Sequence, residues 1–156
     1  MKIMNHFSLI LSLCFSCVVF AGTQSKVDIE EFTVRAPIPG TQNTSGYLVV
    51  DNYGNQKVTI KSVSSNVADK TEIHTHVMEG DMMKMRKLDQ LAVPAKSKVT
   101  FEPGGHHIMF LGLTKDISKQ QSIEVIFTLQ DGRQLVSQAK VVSLMPKKEH
   151  SHHHHH

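Results

Sequence analysis

Cysteine is nearly missing. The 156 residues contain two, Cys14 and Cys17, and both fall inside an apolar opening segment. Once that segment is set aside there is no thiol, which excludes thiolate zinc sites, a cysteine nucleophile, a disulfide framework and a blue-copper centre. Tryptophan is absent and tyrosine occurs twice. No apolar run reaches the ~20 residues of a helical membrane span. No stretch carries a sustained helical period. No acid–base pairing suggests catalysis either, so an enzyme is not expected. Excess charge is also lacking: 17 Lys and Arg stand against 14 Asp and Glu. Removing Lys2 with the opening segment brings the two signs closer still, which argues against nucleic acid or an anionic membrane as partner.

The opening segment reads as an export signal. Lys2 gives a weakly basic start, residues 7–20 are almost wholly apolar, and Val19-Phe20-Ala21 is a small-residue cleavage site. Residues 1–21 are therefore expected to be removed, leaving a domain over 22–146 in the periplasm. A lipid anchor on Cys14 or Cys17 ranks below simple secretion, because Leu13 and Ser16 give poor context. Beyond Pro146 the chain is polar and ends in His150, Ser151 and then His152, His153, His154, His155 and His156. Residues 147–156 have nothing to bury and are expected to be disordered. They read either as a native metal-gathering tail, with Cu(II) or Cu(I) on imidazole, or as a purification tag.

The part between reads as all-β. Runs rich in β-branched and aromatic residues, separated by turn signals, predict strands over 29–34, 46–51, 58–63, 71–78, 82–88, 99–101, 107–111, 123–129 and 135–142. The strand at 58–63 is expected to pair with 46–51, and Asp131-Gly132 to form a type I′ hairpin turn. A two-sheet sandwich or partly closed barrel of about eight or nine strands lets neither sheet leave its apolar face bare.

What this framework presents is imidazole and thioether. His107 and Met109 are two apart on one predicted strand, so they share a face, just after the Pro103-Gly104-Gly105 turn. His74 and Met85 sit on opposite arms of a hairpin around Glu79-Gly80-Asp81 and are expected to approach across it. Two imidazoles and two thioethers make four neutral ligands, a set that selects Cu(I) over harder or divalent ions. His76 shares the face of His74 and Met83 belongs to the same methionine-rich run, so both stand as auxiliary candidates. A lone methionine on a strand is ordinarily core filler, and Met82 and Met83 are open to that reading. His106 is expected on the face opposite His107.

The spacing His74, ten residues, Met85, twenty-one residues, His107, one residue, Met109 resembles the signature of the periplasmic PCu(A)C copper chaperones. The flanks are similar too: Arg35-Ala36-Pro37-Ile38-Pro39-Gly40, Gly46-Tyr47-Leu48, Met83-Lys84-Met85-Arg86 and Pro103 through Met109. The likeness covers about residues 29–142. It implies a cupredoxin-like Greek-key β-sandwich holding one Cu(I) on His74, Met85, His107 and Met109. It further implies delivery of copper to the binuclear copper A centre of a haem–copper oxidase, directly or with a Sco-type thiol protein. Thr75 departs from members with methionine or an acid there, without touching the four ligands. The alternative is a periplasmic copper-buffering or resistance protein with no dedicated acceptor.

Overall fold

The computed structural model of the chain describes residues 26–143. The export segment and the histidine tail therefore lie outside the described residues. Ten strands follow one another: β1 (Val27–Arg35), β2 (Asn43–Asn52), β3 (Val58–Ser64), β4 (Ala68–Glu79), β5 (Met82–Leu88), β6 (Leu91–Val93), β7 (Ser97–Phe101), β8 (His107–Leu113), β9 (Ser122–Leu129) and β10 (Gln134–Val142). The all-β expectation holds, with no helix among the described residues.

The strands run β5-β4-β8-β2-β1-β10-β9-β3-β6, and β7 pairs with β2 below the stretch that pairs with β8. Because β6 and β7 are joined by a short turn, the far end of this path is brought back beside β2. The sheet thus wraps around one apolar core of residues such as Val34, Val50, Ile60, Val93, Phe110 and Phe127, all fully buried. The Phe32 and Phe127 rings meet across it at 5.8 Å.

Side-chain alternation explains which face each residue takes. In β2, Thr44, Gly46, Leu48, Val50 and Asn52 are buried, while Ser45, Tyr47, Val49 and Asp51 are only partly so. β1 changes parity halfway. A bulge between Glu30 and Thr33, with Glu31 at φ 52°, inserts one residue. Val27 points inward before it, Phe32 and Val34 after it.

Three local expectations are corrected. β3 does not pair with β2; its partners are β9 and β6. Asn52 supplies the reason. It is fully buried, and its Nδ2 donates to the carbonyls of Gln56 (2.8 Å), Val93 (3.1 Å) and Pro94 (2.9 Å), while Gly54 N–H donates to its Oδ1 (3.1 Å). The 52–56 turn is thereby tied to the β6–β7 corner, and the chain leaves β2 for the other layer. Second, the three residues of β6 form a strand that lacked any alternating run long enough to announce it. Third, only Gly132 of the Asp131-Gly132 pair has positive φ (85°), and Gly132 N–H donates to Leu129 O at 3.0 Å. A type I turn followed by a left-handed glycine replaces the type I′ form.

Candidate metal centre

Three strands, β5, β4 and β8, carry the site at one end of the sheet path, with β5 at the edge. Two turns set them. In the β4–β5 hairpin Glu79 opposes Met82, so Gly80 and Asp81 form a two-residue loop with φ +62° at Gly80 only, the pattern of a type II′ turn. Before β8, Pro103 and Gly104 (φ 84°) occupy the centre of a turn closed by Gly105 N–H donating to Glu102 O at 3.0 Å. Proline fixes the first central residue and glycine supplies the left-handed second one, which brings His107 into register with β4.

That register is decisive. His74 lies directly opposite His107, and Glu72 opposite Met109. Across the other edge of β4, His76 opposes Met85, His74 opposes Lys87 and Met78 opposes Met83. Directly paired residues share a face, so Met78, Met83, His76, Met85, His74, Lys87, Glu72, His107 and Met109 all project from one side. This is the side away from the core, since Ile73 and Ile108, on the reverse, are buried in it. His74 and Met85 are diagonal neighbours rather than a direct pair.

The polar atoms are arranged for something electrophilic. His107 is 4% exposed, and its Nδ1–H donates to the Gly105 carbonyl at 3.1 Å. A carbonyl only accepts, so Nε2 of the neutral ring carries the lone pair. That lone pair faces the Met85 sulfur at 3.0 Å. His74 mirrors this arrangement with the opposite tautomer. Its Nε2–H donates to Glu72 Oε2 at 2.8 Å, leaving a lone pair on Nδ1, which is buried with no hydrogen-bond partner. His76 Nδ1 is likewise buried and unpartnered. The His107 ring lies 5.9 Å from that of His74 and 5.1 Å from that of His76. Unsatisfied buried nitrogens and a lone pair aimed at a sulfur are costly unless a cation sits among them.

The electrostatics agree with a neutral His107. Burial holds His107 below the usual histidine range, with only the Gly105 carbonyl opposing it and the neighbouring histidines adding to it. Hydrogen bonds from His74 and then Lys87 (2.9 Å) hold the Glu72 carboxyl below the usual carboxylate range. Glu72 therefore stays ionised beside His74, the carboxylate–histidine arrangement that fixes a ligating ring and raises its basicity. Among the described residues no group of three or more His, Cys, Asp or Glu is placed to hold a metal.

The structure thus brings His74, His107 and Met85 together and puts Met109 on the same face, one rung from the two histidines. His76, expected only as an auxiliary, lies closer to His107 than His74 does. Met83 sits further along the face, Met82 on the reverse. His106 turns to Phe101, ring centroids 5.7 Å apart. His150 and His152–His156 lie outside the described residues. Sequence reasoning passed over Glu72, although its place two residues before His74 on one strand was the available signal.

Comparison with known proteins accords with this fold. The sequence model of the LpqE-like lipoproteins matches residues 27–141, reaching all ten strands. Lxx21020 of Leifsonia xyli subsp. xyli, named as a lipoprotein, is 28% identical over 107 residues, covering 68% of this chain and 63% of that protein. RP573 of Rickettsia prowazekii is 26% identical over 105 residues, covering 67% and 58%. The matches thus span about three fifths of those relatives. Among solved structures, the copper-bound PCuAC domain from PmoF2 superposes with a TM-score of 0.65 at 22% identity, over 76% of this chain and 93% of that one. Cu(I)-DR1885 from Deinococcus radiodurans gives a TM-score of 0.62 at 25% identity, over 78% and 82%. The cupredoxin-like β-sandwich expectation is met by the PCuAC domains, and the chain belongs to the LpqE-like family.

Proposed function

We propose that this protein is an exported Cu(I) chaperone that binds one ion through His74, Met85, His107 and Met109 and hands it to an acceptor protein. The observation that carries the reading is the lone pair of His107 Nε2 set 3.0 Å from the Met85 sulfur, beside an unpartnered His74 Nδ1. Nitrogen and thioether donors in that set favour Cu(I) over Zn²⁺ or Ca²⁺. The relatives add support, since Cu(I)-DR1885 is a copper(I) protein of the same fold. An edge location suits transfer. Met85 is 45% exposed on an edge strand, so a partner's thiolate or imidazole has room to enter as the thioether leaves.

In this reading residues 1–21 are the export signal, 22–146 the copper domain and 147–156 the histidine tail. The lipoprotein character of the family supports a place outside the cytoplasm. The acceptor we propose is the binuclear copper A centre of a haem–copper oxidase, reached directly or through a Sco-type thiol protein. Deleting the gene and assaying oxidase activity under copper limitation tests this. Lost activity restored by added copper is expected. Normal oxidase activity with sensitivity to excess copper would instead make the protein a buffer.

A further inference from the structure

We propose that the tip of the β4–β5 hairpin holds a second, weaker Cu(I) site, built from Met78, Met83 and His76, which receives the ion and passes it to the four-ligand centre. The proposal rests on the copper reading above but uses different residues. Met78 and Met83 oppose each other across the hairpin, on the face that carries His76 and Met85 one rung further in. They are 62% and 60% exposed. Core filling does not account for them, because the tip overhangs no core and β5 is an edge strand. Exposed apolar side chains on a sheet edge invite association, and charged residues are the usual choice there. The reverse face of the same hairpin carries charged pairs beside the exposed Met82: Glu79 pairs with Lys84 at 2.8 Å and with Arg86.

His76 makes the pair a site rather than a greasy patch. Its Nδ1 is buried without a partner, it opposes Met85, it lies two residues from Met78, and its ring is 5.1 Å from that of His107. One rung of a strand is roughly 6.4–6.8 Å, a distance that flexible methionine side chains bridge from either side. Two thioethers and one imidazole are three neutral donors, soft enough to select Cu(I) and one fewer than the inner set. Transfer is then ligand exchange alone. As the Met78 and Met83 sulfurs let go, Met85 and His107 take their places while His76 keeps contact; His74 and Met109 then complete the four-ligand set as His76 lets go. Copper stays Cu(I), every ligand stays neutral, and no electron or proton has to move.

The test is methyl NMR on the full chain carrying ¹³C-methyl methionine, with Cu(I) added stepwise without oxygen. The Met85 and Met109 methyls are expected to shift to completion with the first equivalent bound by sulfur. Met78 and Met83 are expected to follow with more Cu(I), and Met82 to stay unmoved. The histidine tail contributes no methionine signal. In Met78→Leu/Met83→Leu, substitutions at exposed positions that leave the core alone, the second stage is lost and the first is kept. Uptake of copper from a chelator also slows. If Met78 and Met83 stay unmoved at saturating Cu(I) while Met85 and Met109 respond, the second site is overturned and the four-ligand centre stands. If the leucine variant loads as fast as the parent, the relay is overturned. If Met85 and Met109 do not respond at all, the four-ligand reading fails first.

Discussion

Glu72→Gln isolates what the protein adds to its donor atoms. The substitution keeps the shape of the side chain and removes its charge. In the parent, Glu72 accepts from His74 Nε2 at 2.8 Å and from Lys87 at 2.9 Å, with its side chain 17% exposed. A glutamine amide can accept through its oxygen or turn and donate through its NH₂. In the second orientation it pushes the imidazole proton onto Nδ1, the atom facing the cluster. Loss of such a carboxylate partner costs about 10- to 100-fold in metal affinity, or ~1.4–2.7 kcal/mol. The apo fold should lose only ~1 kcal/mol or less, because the amide oxygen still accepts and the Lys87 pair is exposed. Competition against a coloured Cu(I) chelator reads the affinity, and thermal melting reads the fold. Cu(I) affinity within twofold of the parent would refute the orienting role of Glu72.

Acid should act on apo stability in two steps. His107 sits below its ordinary 6.5, so the unfolded chain takes up this proton first, and stability falls as pH drops from 6.5 towards the lower folded value. Glu72 is held below its ordinary 4.5, so its contribution is present above 4.5 and is lost as pH falls further. Urea melts of the parent, His107→Asn and Glu72→Gln across pH 2–7 should assign the upper step to the first variant and the lower to the second. Gly112→Ala should lower stability by ~1–3 kcal/mol. Gly112 holds φ +66°, and an added Cβ would lie 2.6 Å from the Asp69 carboxylate. Calorimetry showing an unchanged melting temperature would contradict that. Asn52→Ala removes the tie between the 52–56 turn and the β6–β7 corner, leaving the buried Val93 carbonyl without this partner at ~1–3 kcal/mol. A denaturation midpoint close to the parent's would count against it.

Much of the candidate site was legible because strand alternation is a local rule. Two residues apart means one face, so His107 with Met109, and His74 with His76, were paired before any fold was known. Gly80-Asp81 and Pro103-Gly104 marked the two turns that bring these strands together. Register was less accessible. Which residue of β4 faces Met85 depends on a two-residue loop rather than a three-residue one, and that choice makes His76 its direct partner. The β2–β3 expectation failed for a similar reason. Neighbours in sequence with a turn between them ordinarily pair, but the buried amide of Asn52 ties that turn to a corner 41 residues further along the chain. The bulge at Glu31 leaves no comparable mark, since nothing in Glu30-Glu31-Phe32 demands positive φ.

X-ray absorption at the copper edge of the full chain, loaded anaerobically with one equivalent of Cu(I), tests the central claim most directly. The account predicts a mixed shell of nitrogen and sulfur neighbours, with the sulfur signal reduced in both Met85→Leu and Met109→Leu. A shell of nitrogen alone, unchanged by either substitution, would place the metal elsewhere and contradict it.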